Sequence, residues 1–129
     1  MNRSKQAKVL ITDNDVRVRS ALQLLLSQEP GFSLVGESAD LEQLARKVRE
    51  LQPDLVLLDW ELPGRPAAAL LLAFKSLRSQ PKVLVLSQRP ESREAALTAG
   101  ADAFVAKSEP PGDLLAACRR LLNQDSQHG

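Results

Sequence analysis

Apolar and polar positions along this chain alternate between two periods. Val9–Thr12 (VLIT) is a short β-branched, apolar run of strand character. Behind it, Val18, Ala21, Leu22, Leu25 and Leu26 recur at helical spacing and draw one apolar stripe, which Pro30 and Gly31 close. Phe32–Glu37 (FSLVGE) predicts a second strand, partly alternating and therefore suited to a sheet edge. Leu41, Leu44, Ala45 and Val48 form the next stripe, stopped by Pro53. Leu55–Leu58 (LVLL) and Val83–Leu86 (VLVL) are apolar throughout, the pattern of strands covered on both faces. Between them, residues 67–78 are helical in pattern, with Pro66 in the first turn. A short helix over Glu91–Ala99 is closed by Gly100, and Ala103–Ala106 (AFVA) reads as the fifth strand. Leu114, Ala117, Cys118, Leu121 and Leu122 make the last stripe, and the polar tail 123–129 is expected to fray.

Strand and helix thus alternate five times. That order argues for an α/β fold, a parallel sheet with helices on both faces. At 129 residues the chain has the size of one domain, with a core over about residues 8–122. Seventeen Lys and Arg stand against 16 Asp and Glu, scattered along the chain. That balance speaks against direct nucleic-acid binding by this segment, which would need clustered positive charge. The single cysteine, Cys118, has no intramolecular disulfide partner and lies on an apolar stripe, where inert core packing is expected. No apolar run approaches the ~20 residues of a membrane span, and the N-terminus lacks the apolar stretch of a signal peptide. The resulting expectation is a cytoplasmic protein with no membrane partner.

The chemistry lies just after the strands. Asp13 and Asn14 follow VLIT, Asp59 follows LVLL, Ser87 follows VLVL, and Lys107 follows AFVA. In an open parallel sheet, residues past the carboxyl ends of the strands gather in one crevice. Two carboxylates and a carbonyl suit Mg²⁺, which prefers oxygen ligands. A carboxylate is also a nucleophile toward phosphoryl groups, and phosphoryl transfer needs mainly positioning and charge neutralisation. Each residue has a plainer role as well: Asp13, Asn14 and Asp59 as caps or turn formers, Ser87 as a turn start, Lys107 as a solvated surface lysine, Phe104 as a core aromatic.

Four strings, VLITDNDVRVRSAL, PDLVLLDWELPG, KVLVLS and GADAFVAKSEPP, resemble in order and spacing the blocks of bacterial response-regulator receiver domains. The resemblance covers the chain from about Lys8 to Leu122. It implies a flavodoxin-like, doubly wound, five-stranded parallel sheet in the order 2-1-3-4-5. It also implies a phosphorylation-dependent switch of a two-component system, with Asp59 as phosphoacceptor and Asp13 as an acid holding Mg²⁺. Glu61 matches the position that ligates the metal through its backbone carbonyl. Ser87 matches the switch hydroxyl, Lys107 the family's lysine, and Phe104 the aromatic residue whose rotamer follows phosphorylation. The implied partners are a sensor histidine kinase or phosphotransfer protein, with a homodimer or another protein as output. Catalysis would extend at most to the chain's own phosphorylation and dephosphorylation.

This sequence departs from the family pattern at several positions. Asn14 replaces the usual second acid, so weaker Mg²⁺ binding is expected; Asp15 either compensates or caps the following helix. Ser108 follows Lys107 where many receivers have proline, as in receivers of transcription-factor regulators with similar KSEPP-like endings. Gln88 is larger than the usual residue after the switch hydroxyl. These departures favour one rival reading, a pseudo-receiver that binds proteins without being phosphorylated. A flavin- or nucleotide-binding protein is disfavoured, since no glycine-rich loop follows the first strand. His128, the only histidine, stands in the tail and carries no assigned role.

Overall fold

The sheet is built from strands that alternate sides while staying apolar on both. The structure, a computed structural model, describes residues 6–63 and 66–127. Its strands are β1 (Ala7–Thr12), β2 (Phe32–Ser38), β3 (Leu55–Asp59), β4 (Lys82–Ser87) and β5 (Ala103–Ala106). Its helices are α1 (Val16–Ser27), α2 (Leu41–Leu51), α3 (Ala67–Phe74), α4 (Arg93–Ala99) and α5 (Pro111–Gln127), with a 3-10 turn at Pro90–Ser92. All four strand pairings are parallel, in the order β2-β1-β3-β4-β5. This is the flavodoxin-like order expected, with the partly alternating β2 at one edge.

Side chains on successive strand positions point to opposite faces. Val9, Ile11, Leu55, Leu57, Leu84, Leu86 and Val105 pack under α1 and α5, against Leu22, Leu26, Leu114 and Cys118. Leu10, Val56, Leu58, Val83, Val85 and Phe104 point the other way, against α2, α3 and α4 through Leu44, Val48, Leu71 and Ala96. Counting onward in that alternation, Asp13, Asp59 and Lys107 fall toward the α1/α5 side, and Ser87 toward the side of Phe104. The apolar pattern therefore also aims the polar residues that end each strand.

Local signals set the helix ends. Asp40 caps α2, its side chain accepting from the Gln43 N–H at 2.8 Å. Gly100 ends α4 at φ 118°, a left-handed conformation that glycine adopts without a Cβ penalty. Two boundaries differ from the sequence expectation. Helix α3 stops at Phe74 rather than at residue 78, because Lys75, Ser76 and Leu77 donate to carbonyls three residues back and tighten the chain into turns. Helix α5 runs to Gln127, past Leu122, the last residue of its apolar stripe. His128 lies outside the described residues.

Candidate functional site

Three strand ends deliver one charged cluster. Asp59 closes β3 beside Leu86 of β4 and is 2% exposed. Asp13 follows β1 directly and is 1% exposed. Lys107 follows β5, and its Nζ lies 2.8 Å from Asp13 Oδ2 and 3.3 Å from Asp59 Oδ1. The remaining donors are backbone groups. The Asp15 N–H donates to Asp13 Oδ1 at 2.9 Å, and the Glu61 N–H donates to Asp59 Oδ1 at 3.0 Å. Among the described residues no hydrogen bond reaches Asp59 Oδ2.

The electrostatics follow from burial and crowding. Burial raises the Asp59 pKa above the usual carboxylate value, and the Asp13 charge beside it adds to the rise; Lys107 opposes both. For Lys107, burial pulls the pKa down. The hydrogen bond to Asp13 and the Asp59 charge outweigh that and leave it raised. Two buried carboxylates thus share one ammonium, and the cluster keeps an excess of negative charge.

The β4 end is arranged differently. Ser87 is fully buried, and its hydroxyl donates to Glu61 Oε2 at 2.5 Å. The neighbouring Gln88 N–H donates to Glu61 Oε1 at 3.0 Å. The Trp60 N–H donates to the Leu86 carbonyl at 2.8 Å, and the Lys107 N–H to the Ser87 carbonyl at 2.7 Å, which stitches the three loops together. Phe104 is buried on the Ser87 side of the sheet, with the Arg93 guanidinium 6.0 Å from its ring centroid.

Asp13, Asp59 and Lys107 are therefore in direct contact, Ser87 joins them through Glu61, and Asn14 is exposed next to Asp13. Of the two roles open to Asp15, the structure shows the cap: its carboxylate accepts from the Arg17 N–H at 2.9 Å. That contact holds its pKa below the ordinary value. Two contributions escaped the sequence reading. The resemblance implies only a backbone carbonyl for Glu61, whereas its side chain bridges to β4; an acid two positions after Asp59 is the available signal. Arg19 donates to the Asp13 carbonyl and, at 3.1 Å, to Glu37, bracing the β1 loop from α1; its place among polar helix positions gave no signal. Among the described residues no peptide bond is cis.

Comparison with known proteins places this fold. A family model, the response regulator receiver domain, matches residues 9–119. The nitrate/nitrite response regulator protein NarL of Escherichia coli is 34% identical over 119 residues, covering 91% of this chain and 55% of NarL. The Fimbriae Z protein of Salmonella typhimurium is 33% identical over 121 residues, covering 92% of this chain and 58% of that protein. The chain thus spans little more than half the length of these curated relatives. A LuxR-family two-component response regulator from Aurantimonas superposes with a TM-score of 0.85 at 29% identity, over 93% of this chain and 87% of that one. A CheY-like receiver domain protein from Methanospirillum hungatei gives a TM-score of 0.84 at 26% identity, over 97% and 100% of the two chains.

Proposed function

The chain belongs to the response regulator receiver family, and from that premise we propose that it is a phosphorylation-driven signalling switch whose acceptor is Asp59. The observation that carries this reading is the Lys107 ammonium set between two buried carboxylates, Asp13 and Asp59. Receiver domains of response regulators interact with histidine kinases or phosphotransfer proteins. In the transfer, Asp59 Oδ2 attacks the phosphorus of the donor's phosphohistidine. The new O–P bond forms, the N–P bond breaks, and the imidazole leaves with the bonding electrons. Lys107 offers its charge to the phosphoryl oxygens while Asp13 keeps it in place.

Receiver domains generally bind Mg²⁺ at the phosphorylation site, and the donors here suit a hard cation. The excess negative charge of Asp13 and Asp59 calls for one, and both are oxygen donors. Asp13, Asp59, the Asn14 amide oxygen and the Glu61 backbone carbonyl would hold it. When bound, Mg²⁺ neutralises charge spreading over the transferred phosphoryl group. Asn14, neutral where an acid is usual, makes this binding weak.

The acyl phosphate adds charge and strong acceptor oxygens to a site built around donors. Ser87 and Lys107 engage those oxygens, and the segment after β4 follows Ser87. Phe104, buried on the same side of the sheet, transmits the change to the α4–β5–α5 face. That face is read by a second copy of the chain or by another protein. The driving force is a population shift between two packings, set by contacts made in only one of them.

Trp60, adjacent to the acceptor and packed against the core, reports on the site. Its fluorescence should change saturably with beryllofluoride in the presence of Mg²⁺, and the change should vanish in Asp59→Ala. No response at saturating Mg²⁺ would overturn the reading and leave an interaction module that works without phosphorylation.

A further inference from the structure

Both oxygens of the Glu61 carboxylate are gripped by adjacent residues of the β4 end. Ser87 Oγ donates to Oε2 at 2.5 Å, and the Gln88 backbone N–H donates to Oε1 at 3.0 Å. A hydroxyl and an amide converging on one anion form a small oxyanion cradle. The cradle opens beside the acceptor: Asp59 and Leu86 are partners in the β3–β4 register, and the Glu61 N–H donates to Asp59 Oδ1 at 3.0 Å. The Ser87 hydroxyl is fully buried and also accepts from the Arg89 N–H at 3.0 Å, so the start of the next segment is tied to the same grip.

We propose that Glu61 is an internal stand-in for the phosphoryl group, occupying the Ser87 and Gln88 donors until the acceptor is modified and thereby setting the threshold of the switch. The proposal rests on Asp59 being the acceptor. A phosphoryl group on Asp59 and the Glu61 carboxylate are both anions seeking the same two donors. Charge-assisted hydrogen bonds are among the stronger polar contacts, so their loss is a real cost to the incoming group. Like charge makes sharing worse, and the Glu61 side chain must swing out before Ser87 can turn to the phosphoryl oxygens. Glu61 is exposed, so solvent can receive it once displaced. In the unmodified chain the same grip holds the segment after β4 gathered toward the site while Phe104 is already buried. The residue thus lowers affinity for the modification and narrows the structural difference between the two states.

Beryllofluoride binding, followed by Trp60 fluorescence at saturating Mg²⁺, tests the competition. Glu61→Ala should bind about tenfold more tightly than the unaltered chain, the equivalent of one charge-assisted hydrogen bond released. Glu61→Gln, which keeps an acceptor for Ser87 but loses the charge, should fall between. In a Ser87→Ala background the gain from Glu61→Ala should shrink, because one contested donor is gone. Without metal or beryllofluoride, the Gln88 amide resonance should shift in Glu61→Ala as its carboxylate partner is removed. Equal affinity of Glu61→Ala and the unaltered chain, or an undiminished gain in the Ser87→Ala background, would overturn the stand-in role and leave Asp59 as acceptor. An unmoved Gln88 amide would overturn it too. Binding by neither protein would overturn the acceptor assignment itself, and the stand-in role with it.

Discussion

Lys107 and Asp13 stand 94 positions apart in the chain and 2.8 Å apart in the fold, Nζ to Oδ2. The contact exists because β1 and β5 end at the same rim of one parallel sheet. It also determines what Asp59 can do. Asp59 keeps one oxygen toward Lys107 at 3.3 Å, and the lysine cannot leave without exposing two buried acids to each other.

Replacing the lysine should reveal that dependence. Lys107→Met retains most of the stem and removes the charge. Breaking a buried ion pair by taking away one partner costs about 3–5 kcal/mol. A loss of that order is expected in urea unfolding at neutral pH. Because the Lys107 pKa is raised in the folded state, the stabilisation it brings is fully present through neutral pH and fades only above the ordinary lysine range. On the acid side the cost of the substitution should fall, as Asp59, whose pKa is raised, takes up its proton. A variant as stable as the parent at every pH would mean that the three groups do not act as a unit.

Asp59 gives the opposite sign. Its folded pKa is raised, so the native chain holds this proton to higher pH than the unfolded chain does. Stability therefore drops as pH rises through the interval between the ordinary carboxylate value and the raised one. Above it, ionised Asp59 is a standing penalty on the fold. Asp59→Asn removes that penalty and should be more stable than the parent at neutral pH. Below about pH 4, where even an ordinary aspartate is protonated, the advantage should disappear. Thermal melts across the acid range would show two converging curves; curves that stay parallel would contradict the raised value.

How far a sequence foretells such a site depends on where an aspartate sits relative to its strand. Asp13 and Asp59 follow apolar runs and meet in the charged cluster. Asp54 and Asp102 precede them and do something else. The Lys8 N–H donates to Asp54 Oδ2 at 2.7 Å, and the Val83 N–H to Asp102 Oδ2 at 2.8 Å, each tying a neighbouring strand at the opposite rim. Order alone separates the two kinds, which is why Asp13, Asp59, Ser87 and Lys107 could be selected from the sequence. The sheet order came from the resemblance, because alternation of elements leaves several doubly wound orders open. What stayed hidden depends on side-chain reach. Glu61 spans from the β3 loop to β4, and Arg19 from α1 to the Asp13 carbonyl; neither contact follows from periodicity. Helix ends were missed for a related reason. The switch to tighter turns after Phe74 is a small backbone choice that a run of Ser, Leu and Arg does not announce.

Asn14 offers a test by gain. It is exposed beside Asp13, so an acid there would add charge near the metal without a burial cost. A unit charge at 4 Å is worth about 4 kcal/mol at an effective dielectric of 20, and exposure reduces this further. Asn14→Asp should accordingly bind Mg²⁺ about tenfold more tightly, read by titration of Trp60 fluorescence. Unchanged affinity would mean that position 14 does not contact the ion.

Cys118 provides a reporter within the core on the α1/α5 face of the sheet. It is fully buried on the inner face of α5, in one cluster with Val9, Leu84 and Leu121, and burial pushes its thiol up to about 12. The thiolate is the reactive form, so both access and ionisation protect it in the native chain. It should resist alkylation under native conditions and react once the fold opens. Because α5 packs directly on β4 and β5, local release of Cys118 would require tearing the α1/α5 core. Its labelling should therefore follow global unfolding, with a denaturant midpoint equal to that from circular dichroism. Labelling well before that midpoint would show that α5 detaches on its own.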